Sequence, residues 1–475
     1  MAHSQRCRTS RVPHPVLRSV SLPTIPLPDL PPPVVAAEFA RRIDEATRRI
    51  ASAGLDVLVV YGDREHFANL RYLCGFDPRF EEAALVVGRN RPLSLVVGNE
   101  GLEYAAGLAI EVDCLLAQSF SLPGQDRSKA PRLDRVLRAA GVHEGSKVGV
   151  AGWKSFRSDE MVDGRPFFAV PHFLIEALAA ATGAGGALTD ASDILTAPGT
   201  GMRTSASPAE VAELEYGAAH ASGHVAAAIA ALRPGMTELE LATHLQLNGY
   251  PNSCHPMIIS GDHGLLPLRS PSGRRIETGD TLFIAIGLWG GLTARAGLVA
   301  ASEADLSPTT LNYPTDFAAK YFRLTKRWYE SVAVGVRCRD VFDNVARLLR
   351  EMPFSLSLNP GHYTHADEWV NSAFTDDSRS VLASGSMLQC DMIPTGMPAW
   401  AVCNIEDTVC IADEAFRSEL YGTYPELAER VRLRRHFLTD IVGIRPSDDV
   451  IPLSNLPAWF PPLLLNPSSI LCFEA

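Results

Sequence analysis

The sequence predicts two folded domains: a small α/β domain, then a larger α+β domain whose halves repeat one plan. Three observations predict this. At 475 residues the chain is long for a single core. Its first half alternates helical periodicity with short apolar runs, the mark of an α/β sheet. Its second half carries two helix pairs, each followed by strand-like segments.

Before the first domain lies "MAHSQRCRTSRVPHPVLRSVSLPTIPLPDLPPPVV", with four arginines and no acid before Asp29. Its prolines break any amphipathic helix and favour extended polyproline chain. A disordered, dispensable tail over residues 1–33 is therefore expected. Residues 38–54, "EFARRIDEATRRIASAG", have helical periodicity and stop at Gly54. "LDVLVVYG" reads as a buried strand, and "ALVVG" and "LSLVVGNE" as strands around a turn at "RNRP". A helix near 131–140, the strand "KVGVAG" and helical "PHFLIEALAAATG" complete a domain over 34–195.

The second domain, 196–475, opens on "SPAEVAELEYGAAHASGHVAAAIAALRPGMTELELA". Ser207 can cap the first helix with Pro208 at its first position, and Thr237 and Glu240 have capping-box spacing for the second. "PMIISG", "TLFIAIGLW" and "LTARAGLVA" follow as strands. The plan recurs in "DFAAKYFRLTKRWYESVAVGVRCRDVFDNVARLLREM", then "SMLQCDMIPT" and "AVCNIEDTVCIAD". Such a repeat implies pseudo-twofold halves with a cleft between them.

Bulk composition narrows the function. The net charge is −11 with no basic stripe, which argues against nucleic acid as the main partner. No apolar run is long enough to span a bilayer. Nine scattered cysteines without a CxxC pair read as buried thiols in a reducing compartment, and the cytoplasm is the expected location.

"FANLRYLCGF", "LRPGMTELELA", "IISGDHG", "IETGDTLFIAIG", "NPGH" and "CNIEDTVCIADE" occur in an order that resembles the creatinase, aminopeptidase P and methionine aminopeptidase family. The resemblance runs from about residue 38 to 440. It implies a creatinase-type N-terminal domain, a pita-bread C-terminal domain and a homodimer. The family's peptidases hold two metal ions with two Asp, one His and two Glu, because adjacent divalent ions need several carboxylates. Carried over position by position, the two Asp fall at Ala285 and Ala296, the His at His362, and the Glu pair at Asp391 and Glu406. The family also places a His after the "SG" turn. Leu268 stands there, beside Arg269, with His263 upstream.

The residues themselves focus attention on "NPGHYTHADEW", 359–369. His362 and His365 are candidate bases. Asp367 and Glu368 either start a helix, with acids at its positive end, or serve the site, Glu368 orienting His365 or touching substrate. Asp391 and Glu406 lie in apolar strands, where carboxylates are costly without compensation. If their faces meet, repulsion would raise one pKa and create an acid/base pair. Arg295 is expected to neutralise one of them. The candidate catalytic set is thus His362, His365, Asp391 and Glu406, with Arg295, His263, Arg269 and Glu368 binding substrate. The leading expectation is a hydrolase cleaving a C–N bond of a small molecule or peptide without the dinuclear site and without a cofactor. One alternative is an Xaa-Pro-type metalloaminopeptidase with a single divalent metal on His362, Asp391 and Glu406. The other is a non-catalytic binding protein.

Overall fold

The computed structural model describes residues 13–89, 91–261 and 268–474. The chain divides into two compact units, 33–204 and 1–32 with 205–475.

The first described strand, β1 (Val16–Ser19), belongs to the second unit and corrects the expectation of a disordered tail. It pairs antiparallel with the last strand, Val16 opposite Cys472 and Ser19 opposite Ser469. Beyond it Ile25 is buried, and its carbonyl accepts from Asn455 Nδ2 at 3.2 Å. The Pro28 carbonyl lies 2.9 Å from His220 Nε2. Prolines forbid a helix here but not extended chain, and extended chain can pair with a strand over 400 residues away. Residues 1–12 lie outside the described residues.

The 33–204 unit is built on six strands: β2 (Val57–Gly62), β3 (Ala83–Gly88), β4 (Ser94–Val97), β5 (Asp113–Leu116), β6 (Lys147–Ala151) and β7 (Ala187–Asp190). Their order is β5-β4-β3-β2-β6-β7. The β2–β3 and β3–β4 pairs are antiparallel; the others are parallel. Strand alternation splits β2 between two cores. Leu58 and Val60 pack with Ala46 and Ile50 of helix Ala36–Ser52. Val57, Val59 and Tyr61 pack with Leu137 and Leu178 of helices Leu133–Ala139 and His172–Thr182.

The second unit continues with helix Pro208–Ala231, closed at its start by the reciprocal Ser207–Glu210 capping box. Helix Glu238–Ala242 has the same device in Thr237 and Glu240. The strands are β8 (Asn252–Ser260), β9 (Thr281–Leu288), β10 (Gly291–Leu298), β11 (Ser355–Leu356), β12 (His362–Tyr363), β13 (Ser386–Cys390), β14 (Pro394–Thr395), β15 (Asn404–Ile411), β16 (Val450–Pro452) and β17 (Ser469–Cys472). Helices Ala319–Tyr329 and Cys338–Leu349 form the second pair. The main sheet is antiparallel in the order β12-β13-β15-β10-β9-β8, with β16 also on β15. Its helix-facing side builds the large core around Trp328, Tyr321 and Phe322. Gly290, at φ +110°, turns the β9–β10 hairpin, and a Cβ there would lie 2.0 Å from the Leu214 carbonyl oxygen. Among the described residues no helix is long and apolar enough to cross a membrane.

Candidate active site

Three strands carry the polar centre. β12 delivers His362, and the residue before it, Gly361, has φ +95°, with a Cβ there 2.6 Å from the Gln389 carbonyl oxygen. Only glycine admits that approach, so Gly361 sets where the imidazole enters. β13 pairs with β12, His362 opposite Gln389, and the chain leaving β13 supplies Asp391. β15 pairs with β13, Gln389 opposite Thr408, and supplies Glu406 two residues along on the same face. Gln389 ties this face together: its Nε2 donates to the Leu292 carbonyl at 2.9 Å and its Oε1 accepts from Thr408 Oγ1 at 2.7 Å.

Four side chains converge. His362 Nε2 lies 3.2 Å from Glu368 Oε1, 3.7 Å from Glu406 Oε1 and 3.9 Å from Asp391 Oδ2. His362, Asp391 and Glu406 are buried, and the Glu368 side chain is 17% exposed. Trp369 stacks on the imidazole with ring centroids 4.1 Å apart. No helix starts at Asp367; the chain bends through 365–368, which turns Glu368 inward.

The electrostatics follow from three carboxylates around one imidazole. Burial opposes charge on His362, but Glu368 first, then Glu406 and Asp391, raise its pKa well above the ordinary 6.5. Burial raises Asp391 to about 7, with His362 pulling down and Glu368 pushing up. Burial and then the Asp391 charge hold Glu406 well above the carboxylate range, against the pull of His362. Burial also acts upward on Glu368, but the His362 charge holds it below its usual value.

The remaining expected residues go elsewhere. His365 Nε2 lies 3.0 Å from Glu210 Oε1 at the first turn of helix Pro208–Ala231. Arg295 does not compensate Asp391 or Glu406. It is adjacent to Ala294 and Ala296 in β10, so alternation aims it at the opposite side of the sheet. There it meets Asp407 at 2.8 and 3.0 Å and donates to the Trp459 carbonyl at 2.6 Å. Asp407 had a readable signal: it is the neighbour of Glu406 and therefore faces the rear with Arg295. Glu210 had none beyond its capping spacing. Arg269 is exposed, and His263 lies outside the described residues.

Ala285 is buried and faces the centre's side of the sheet, as does Ala296. Ala294, not Ala296, is opposite both Ala285 and Glu406, while Ala296 is opposite Phe283 and Asn404. The hairpin thus offers no ligand. The three carboxylates and one imidazole that remain suit one divalent ion. The ligand atoms of His362, Glu368 and Glu406 lie within 4.8 Å of one another. His362 Nε2 and Asp391 Oδ1 are buried without a well-formed hydrogen bond among the described residues. Two ions do not fit, because their four positive charges would face at most three carboxylates.

Residues 214–413 match the family described as metallopeptidase family M24. No curated protein matches the chain. Among solved structures, the prolidase from Pyrococcus horikoshii OT3 is similar at TM-score 0.61 and 17% identity, over 78% of this chain and 95% of that one. The Xaa-Pro dipeptidase from Bacillus anthracis is similar at TM-score 0.60 and 16% identity, over 79% and 96%. An Escherichia coli aminopeptidase P in complex with substrate is similar at TM-score 0.54 and 15% identity, over 80% and 93%. The chain therefore resembles the creatinase and aminopeptidase P family and carries its α+β pita-bread fold, with several metal-ligand positions substituted.

Proposed function

We propose that this protein is a hydrolase that cleaves a C–N bond of a small molecule or short peptide without a dinuclear metal pair. The observation that carries this reading is the convergence of His362, Glu368, Asp391 and Glu406 beside a hairpin bearing Ala285 and Ala294. The similarity to prolidases and aminopeptidase P favours a peptide or amide substrate.

Hydrolysis of an amide needs a proton on the leaving nitrogen, a proton acceptor for water and positive charge near the carbonyl oxygen. Asp391, at about 7, exchanges a proton near neutral pH and serves the first two needs in turn. His362 supplies positive charge in the ion-free chain, which reverses the role of general base expected for it. Glu368 holds the imidazole in place, and Trp369 covers its face. A single divalent ion on His362, Glu368 and Glu406 would supply Lewis-acid polarisation of the same carbonyl.

The test is turnover of a panel of Xaa-Pro dipeptides and small amides, before and after chelation. His362→Ala and Asp391→Asn should each abolish turnover while circular dichroism stays unchanged. Full activity in both variants, or no turnover across the panel, would sink the hydrolase reading and favour a binding protein.

A further inference from the structure

We infer that the centre is a mononuclear divalent-cation site in which Glu368 replaces the charge that the β9–β10 hairpin no longer supplies. This deepens the reading above by naming the ion's stoichiometry and its ligands. It rests on that reading only for the site, not for turnover.

His362 Nδ1 lies 3.2 Å from the Tyr363 carbonyl oxygen, which can only accept, so Nδ1 carries a hydrogen. That contact orients the ring as outer partners orient metal-bound histidines. It leaves Nε2 pointing at three carboxylates. A lone pair aimed at three anions is unfavourable unless a cation or proton stands between them. Nε2 has no well-formed hydrogen bond, and neither has Asp391 Oδ1, both buried.

No other positive charge among the described residues is paired with these carboxylates. Among the described residues no Arg or Lys forms an ion pair with Glu368, Asp391 or Glu406, and Arg295 is spent on Asp407. Ligands about 2.1 Å from one ion stand roughly 3–4 Å apart. The present spread, within 4.8 Å, needs only a small inward rotation of flexible Glu side chains. An imidazole nitrogen among carboxylates suits zinc or manganese better than calcium or magnesium. Glu368 and Glu406 then balance one doubly charged ion. Asp391 stays beside it as the fourth polar group.

Glu368 is the member that the carried-over ligand positions do not include. It comes from the bends after β12 rather than from a strand, and Trp369 beside it stacks on His362.

The experiment is calorimetric titration of chelator-stripped full-length protein with zinc chloride, with melting curves alongside. Wild type should bind one ion per chain and melt higher with zinc. Glu368→Gln keeps the side-chain shape and should keep the circular dichroism of wild type. It should bind at least about 100-fold more weakly, because loss of even an outer partner of a ligand costs about 10–100-fold. Its zinc-induced rise in melting temperature should shrink accordingly. Two ions per wild-type chain, no ion, or wild-type affinity in Glu368→Gln would each overturn the inference. The readout is binding, so a chain that binds one ion but turns over nothing overturns the hydrolase reading and leaves this one standing.

Discussion

The two halves of the main sheet make the instructive contrast. On β9 and β10 the site-facing positions are Ala285, Ala294 and Ala296, packed with Met257, Ile259, Phe283, Leu292 and Val402. On β12, β13 and β15 the same side carries His362, Gln389 and Glu406, with Asp391 just beyond β13. One half is apolar; the other holds three carboxylates. The difference shows that the hairpin side is a packed apolar patch, while Glu368 joins the half where the polar groups stand. A second contrast runs through the sheet. On the rear, Asp407 has Arg295 and the Ala458 N–H, a compensated buried pair. On the front, the carboxylates have one imidazole among them.

Breaking the rear pair should have the largest effect. Arg295→Ala leaves Asp407 buried without its cation, and unfolding in urea should show a loss of about 3–5 kcal/mol. A loss as small as in a front-face Glu406→Gln variant would erase the contrast between the two sides.

Next in size, Ala294→Asp puts a carboxylate into the apolar half. In chelator it should cost about 1–3 kcal/mol or more, the penalty of a buried unsatisfied polar group. Zinc or manganese should then restore melting temperature, because Ala294 is opposite Glu406. Ala296→Asp should show the same cost without the rescue. Equal rescue of both would mean that strand register does not decide which alanine borders the centre.

The front half should also show itself in pH dependence. Asp391 is raised from 3.8 to about 7 in the fold, so the native state binds more protons than the unfolded chain between those values. The contribution of Asp391 to stability should then be full below about 4 and fall as pH rises toward 7. His362, also raised, acts in the same direction above 6.5. Glu368, held low, opposes the trend only on the acid side of its own range. Melting temperature against pH should show the fall, and Asp391→Asn should flatten it.

The smallest effect expected is from Trp369→Ala. Loss of the ring stacked on His362 should cost about 1 kcal/mol. It should leave circular dichroism unchanged.

Much of this was legible in the chain. Period-two alternation placed Gln389 with Asp391, and Asn404, Glu406 and Thr408 together, and the capping boxes at Ser207 and Thr237 are present. The alanines Ala285 and Ala296 of the hairpin were visible as well, and the register adds Ala294, which is opposite Ala285. Arg295 is next to Ala296 in sequence, but alternation along β10 sends it to the opposite side of the sheet, to Asp407.

What the sequence by itself determined is the local chemistry: which segments are helix or strand, where helices begin, and that a buried imidazole and carboxylates would need compensation. Those rest on backbone sterics, periodicity and desolvation, which act over a few residues. Only the tertiary structure decided that Glu368 turns into the centre, that His365 goes to Glu210, that Arg295 serves Asp407, and that a proline-rich start pairs with the final strand. Each joins partners from separate elements, or turns on a bend that no local pattern marks. Whether such a group meets a charge, a carbonyl or a sheet edge depends on how the packed elements meet.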